Sequence, residues 1–214
     1  NAPGTGGAYR SLIRGTGNTG TALAQKCIAS IGVDQIFHGT RPGAPAEDDP
    51  TREGDIQLLF FNLNNPKAAR TNNRQSAIDV VQEARLFTET KITIPAATSR
   101  TGSEIRFDGS NLLFFGHSQG GLNGPLYLAA DPSARGGVLS GAGSVITIAF
   151  LEKTSPSPSV AGAVKAILRV TEDDELNLFH PTINMAQALI DTTDPVHYMR
   201  SIIRSPRNGS APKS

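Results

Sequence analysis

Leu112-Leu113-Phe114-Phe115 is a run of consecutive apolar residues ending at Gly116, and it constrains the fold more than any other stretch. A strand with one wet face alternates apolar and polar residues. A continuous run predicts a strand buried on both faces, as in a parallel sheet. Residues 119–130 then carry a helical pattern closed by Asp131-Pro132, and Gly137-Val138-Leu139-Ser140-Gly141 suits a second buried strand. Strand, helix and strand in that order predict the α/β class, with a mostly parallel sheet and flanking helices.

The rest of the chain fills in around this unit. Leu23, Cys27 and Ile31 stand four apart, predicting a helix over 21–31 stopped by Gly32, with a short strand, Val33 to Phe37, after it. Residues 42–55 read as a polar loop, and Ile56-Gln57-Leu58-Leu59-Phe60-Phe61 is apolar with no decided period. Ala77, Val80, Val81, Ala84 and Phe87 predict an amphipathic helix over 76–88. Beyond 150 the pattern changes. Thr154-Ser155-Pro156-Ser157-Pro158-Ser159 resembles a linker, and helices follow at 159–170, 181–190 and 195–204, the last with Asp194 as N-cap and Pro195 at N1.

Composition narrows the function classes. Glycine (22) and proline (14) are in excess of the usual share, which speaks for many short elements and against a coiled coil. Twenty basic and 19 acidic residues leave a net charge of +1, so there is no electrostatic footprint for nucleic acid or an anionic membrane. No apolar run approaches the ~20 residues of a membrane span. With one cysteine, Cys27, an internal disulfide and a cysteine-based zinc cluster are excluded.

The sharpest chemical signal is Gly116-His117-Ser118-Gln119-Gly120, followed by Gly121. It fits G-x-S-x-G placed between a buried strand and a helix, where a tight turn forces the serine into a strained backbone and projects its Oγ from the sheet. Small residues at 116 and 120 let strand and helix pass. The helix N-terminus favours negative charge beside that oxygen. With these residues the chain resembles the α/β-hydrolases of the esterase and lipase kind. The resemblance implies a hydrolase core over 1–150, a helical cap over 151–206 and a linker at 207–214 leading to further core strands. It implies a small-molecule ester as substrate, Ser118 as nucleophile, the N–H of Gln119 as one oxyanion donor, and no metal or organic cofactor. Pro3-Gly4-Thr5-Gly6-Gly7 resembles the loop that supplies the second donor, Thr5 or Gly6 by position, with proline where the family commonly has histidine.

A serine nucleophile needs a base and an acid, which in this fold follow it in the order acid, then histidine. Two arrangements are open. In one, Ala166-Ile167-Leu168-Arg169-Val170 is a strand, Asp173 or Asp174 the acid and His197 the base. In the other, 159–204 is the cap and both groups lie beyond Ser214. Helical spacing of Ala161, Val164, Ile167 and Leu168 favours the second. His180, before Pro181, reads as a loop residue. His38 reads as a turn residue, and His117 has a ring pointing away from Oγ.

Two rival classes exist. Gly15-Thr16-Gly17-Asn18-Thr19-Gly20 fits G-x-G-x-x-G ahead of a helix, the fingerprint of a dinucleotide-binding oxidoreductase, although the strand before it is weak and Asp34 comes early for the ribose partner. A catalytically incomplete hydrolase fold that only binds a ligand is the other.

Overall fold

Strand β3 (Leu112–His117) and strand β4 (Ala134–Ser140) lie parallel, with Phe114 opposite Gly137, Phe115 opposite Val138 and His117 opposite Ser140. Helix α4 (Gln119–Ala130) connects them, over the span that the sequence predicts. The computed structural model describes residues 1–154, 159–170, 176–207 and 210–214. Ala2 forms a parallel bridge to Gly116 on the free edge of β3: its N–H donates to the Phe115 carbonyl at 3.0 Å, and its carbonyl accepts from His117 N–H at 3.1 Å. On the far edge of β4 the Ser214 carbonyl accepts from Gly137 N–H at 2.9 Å. A second, antiparallel pair, β1 (Thr93–Ile94) and β2 (Ile105–Arg106), stands apart from this sheet. The class is therefore α/β, with a small parallel sheet and helices.

The remaining helices are α1 (Thr19–Ala24), α2 (Arg52–Phe61), α3 (Pro66–Thr88), α5 (Ile146–Glu152), α6 (Val160–Leu168), α7 (Pro181–Ile190) and α8 (Met199–Ile203). Short 3-10 turns occupy Tyr9–Leu12, Asp191–Thr193 and Pro195–His197. The main core is a layer of Phe114, Ala134, Tyr127 and Leu128 closed by Val80 and Ala84 of α3 and by Ile202 of α8. A second cluster, Leu122, Ile146 and Ile190, joins α4 to α5 and α7, with Phe61 and Phe150 packed on it.

One expectation about the sheet is corrected. The strands are buried on one face only: Leu113 is 61% exposed and Val138 59%, because α4 and α3 cover the face of Phe114 and no described helix covers the other.

Other corrections concern the first 60 residues. The helix expected over 21–31 stops at Ala24. Cys27 takes a left-handed φ of 57°, while Ile28 N–H reaches back to the Leu23 carbonyl and Cys27 N–H to that of Ala24, which closes the helix in a Schellman turn. Leu23, Cys27 and Ile31 had the right period but no surface to bury against. Ile31 is exposed, and so is Cys27. Residues 33–37 form no strand. Asp34 and Gln35 turn their side chains onto backbone groups elsewhere, and the one backbone-to-backbone bond from 33–37 to a distant segment is Val33 N–H to the Asn1 carbonyl. The undecided run 56–61 is helical, with Ile56 and Phe60 buried four apart; α2 starts at Arg52, inside the expected loop.

Helix α3 begins ten residues before the expected start at 76, at Pro66, with the Asn65 side chain accepting from Ala68 N–H. In the third quarter α5 was not foreseen. The helix expected over 159–170 is α6, capped by Ser159. The helix expected over 195–204 is divided into a 3-10 turn and α8. Asp194 does accept from Val196 N–H, yet its larger task is tertiary. Fully buried, it accepts from Val145 and Ile146 N–H and from Gln187 Nε2, fixing the start of α5.

Candidate active site

Ser118 alone makes the turn from β3 into α4, with φ 50° and ψ −113°. A non-glycine residue there costs about 1–3 kcal/mol, so the surroundings must impose it. They do so from both sides. Ser118 N–H donates to the Ser140 carbonyl at 2.8 Å, and its own carbonyl accepts from Gly121 N–H at 2.8 Å and Leu122 N–H at 3.1 Å. A side chain at 116 would put a carbon 2.4 Å from the Gly120 carbonyl oxygen, and one at 120 would stand 2.0 Å from that of Ala2. Both positions admit only glycine, as the tightness of the turn predicts.

The glycine-rich loop after Ala2 presses against this turn. Gly120 N–H donates to the Pro3 carbonyl at 3.2 Å, and a carbon added at Gly4 would stand 3.1 Å from Ser118 Cβ. Thr5 Oγ1 donates to Gln119 Oε1 at 2.9 Å. Gln119 Nε2 donates in turn to Gln35 Oε1 at 3.1 Å, which also accepts from Asn123 Nδ2, while Gln35 Nε2 donates to the Pro3 carbonyl. Gln35, Gln119 and Asn123 are all buried, so this amide chain sits in low dielectric and holds the loop to the start of α4. The backbone N–H groups of Thr5, Gly6 and Gln119 meet no acceptor among the described residues. Gln35 and Asn123 went unnoticed in the sequence. The available signal was a glutamine inside the apolar stretch Val33–Phe37.

Ser118 opens onto a cleft of about 610 Å³, lined among others by Thr5, Gln57, Phe115, His117 and Lys153. His117 Nδ1 lies 3.2 Å from Ser140 Oγ, so its ring is engaged with the end of β4. The other histidines are elsewhere. His197 Nε2 pairs with Asp191 Oδ1 at 2.9 Å, and that hydrogen bond holds the Asp191 carboxyl below its ordinary value. His180 was expected in a loop; its Nδ1 accepts from Thr182 N–H and caps α7. His38 is wholly buried, with Nδ1 2.7 Å from the Ile36 carbonyl and Nε2 without a partner, and burial pushes its pKa down.

Two described features do not match the compact arrangement of acid and base. Residues 166–168 belong to helix α6 and not to a strand, and His197 does not line the Ser118 cleft. Asp173 and Asp174 lie outside the described residues.

The dinucleotide alternative also loses its context. A 3-10 turn, not a strand, precedes Gly15, and α1 is only six residues long. Gly15 and Gly17 take positive φ in a turn tied by Asn18 Nδ2 to the Gly15 carbonyl. Among the described residues no cluster of three histidine, cysteine or acidic side chains could hold a metal ion, and no helix is long and apolar enough to cross a membrane.

No protein-family model matches the chain, and no curated protein or solved structure matches it either.

Proposed function

We propose that Ser118 is the nucleophile of a serine hydrolase that cleaves carboxylic esters through an acyl-enzyme, on an α/β-hydrolase core (1–150) with a helical cap (151–206). The observation that carries this reading is the Ser118 backbone: φ 50° at a strand-to-helix turn, beside backbone N–H groups that meet no acceptor among the described residues. A protein does not store strain of that kind in a serine without compensation elsewhere, and here the amide chain from Thr5 to Gln35 supplies it.

Ser118 Oγ adds to the ester carbonyl carbon, and the negative charge that collects on the carbonyl oxygen is held by the N–H of Gln119 and of Thr5 or Gly6. Each such donor is worth about 10²–10³ in turnover. The alcohol leaves, and water releases the acid from Ser118. The cleft's histidine, His117, is engaged with Ser140, and no carboxylate is among the described residues that line the cleft. That incompleteness favours one second reading, a hydrolase fold that binds a ligand without turning it over. Reaction with a fluorophosphonate separates the two: labelling at Ser118 supports the hydrolase, and intact protein with no adduct supports the binding module.

A further inference from the structure

Helix α5 takes no part in the turn at Ser118, yet the fold secures it at both ends. Its start is fixed by the buried Asp194 carboxylate, which accepts from Val145 and Ile146 N–H. Its last turn is fixed by Phe150, which meets Phe61 of α2 edge to face with centroids 4.9 Å apart. Immediately after the helix, Lys153 takes an extended backbone and lines the Ser118 cleft.

Two structural uses are open to a lysine at this place, and Lys153 serves neither. A lysine at a helix C-terminus can donate to the last carbonyls of that helix, and a lysine beside a carboxylate can pair with it. The Lys153 ammonium makes no hydrogen bond or ion pair with any described residue. Its sequence neighbour Glu152 lines a separate pocket, together with Leu178 and Phe179, and not the cleft. The other side chains lining the cleft are hydroxyls, amides, apolar groups and the His117 ring. A half-buried ammonium therefore lines the cleft of Ser118 with no counter-charge among the described residues.

That asymmetry selects the substrate. A neutral group leaves the ammonium to water, and a cation is repelled by it. An anion gains from it, the more so because a cleft has a lower effective dielectric than open water. One ammonium balances one negative charge, so a carboxylate matches it, whereas a phosphate dianion would bring a second charge without a partner. We propose that the ester cleaved at Ser118 carries a free carboxylate besides its ester group, and that Lys153 pairs with that carboxylate and sets the specificity. This rests on the hydrolase reading of Ser118 and adds the charge of the substrate to it.

Binding to Ser118→Ala, which lacks the nucleophile, isolates the recognition step. NMR titration of this variant compares monomethyl adipate, an ester with a free carboxylate, with dimethyl adipate, its neutral counterpart. The half-ester is expected to bind about fivefold more tightly at low salt, the scale of a partly exposed ion pair. The preference should vanish at about 1 M sodium chloride, where charges are screened within about 3 Å. Lys153→Met, added to the same variant, should abolish the preference and leave dimethyl adipate binding unchanged. Equal affinity for the two esters at low salt, no half-ester binding at millimolar concentration, or a preference that survives salt or Lys153→Met would each overturn the proposal. The salt series decides the matter even where the lysine variant fails to fold. Fluorophosphonate reaction of the unaltered chain keeps the two readings apart. Labelling at Ser118 with no half-ester preference overturns the carboxylate and leaves the nucleophile standing. A preference without labelling upholds carboxylate recognition by Lys153 and overturns the nucleophile.

Discussion

Thr5 Oγ1 donates to Gln119 Oε1 across 2.9 Å, tying the glycine-rich loop to the first residue of α4 although the two lie 114 positions apart in the chain. Both residues carry backbone N–H groups that point to no acceptor among the described residues, so this contact sets the spacing of the two donors proposed to hold an oxyanion. Thr5→Val keeps the shape and removes the hydroxyl. A side-chain hydrogen bond contributes about 0.5–1.5 kcal/mol, so the rate of fluorophosphonate reaction at Ser118 should fall about tenfold at most, with little change in thermal midpoint. An unchanged rate would show that Thr5 does not set the spacing.

Gln35 sits one step further along the same chain. Gln35→Leu leaves Gln119 Nε2 and Asn123 Nδ2 without their partner in a buried site, while the Pro3 carbonyl keeps only its bond from Gly120 N–H. Each orphaned group costs about 1–3 kcal/mol, and partial rearrangement recovers some of it, so a loss of about 3 kcal/mol is expected in urea denaturation. A loss below about 1 kcal/mol would mean the amide chain is not a support.

Two glycines give a matched pair. Gly120→Ala places a methyl group 2.0 Å from the Ala2 carbonyl oxygen, a backbone atom that cannot move without breaking its bond to His117 N–H. This variant should lose several kcal/mol or fail to fold. Gly54, exposed on α2 with open space around it, is the control: Gly54→Ala should stabilise by about 0.5–1 kcal/mol. Equal effects at the two positions, read from circular-dichroism melts, would contradict the packing at the turn.

Burial lowers the pKa of His38 from its ordinary 6.5, so the unfolded chain takes up a proton at a pH where the folded chain still resists it. The stability contributed by the neutral ring is complete above about pH 6.5 and is lost as the pH falls from there through the lower folded value. His38→Asn, which does not titrate, should flatten the stability curve in that window by up to about 1.4 kcal/mol per pH unit. Parallel curves for the two proteins between about pH 7.5 and 5.5 would exclude His38 as the source.

The elements legible from the sequence are those whose limits are set locally. Helix α4 is bounded by the glycine turn and Asp131-Pro132, and α7 by Pro181; both fall where the pattern puts them. Errors arise where periodicity lacks a surface to pack on. The stripe Leu23–Cys27–Ile31 has helical spacing, but Cys27 and Ile31 stay exposed, and the chain turns at Cys27. The opposite case is Asp194, legible as a cap for the residues after it while its bonds to Val145 and Ile146 join segments 48 and 49 positions apart. Of the candidate site, Ser118 and Gln119 were readable because the motif is contiguous. Gln35 and Asn123 were not, since their roles exist only once the loop, α4 and the stretch after Val33 meet.

The most direct measurement is mass spectrometry of the intact protein after incubation with a fluorophosphonate, on the native sequence and on Ser118→Ala. A single phosphonyl adduct is predicted, mapped by peptide digestion to Ser118 and missing from Ser118→Ala. Adduct formation that persists in Ser118→Ala, or no adduct on folded protein under conditions that label an ordinary serine esterase, would contradict the assignment of Ser118 as the nucleophile.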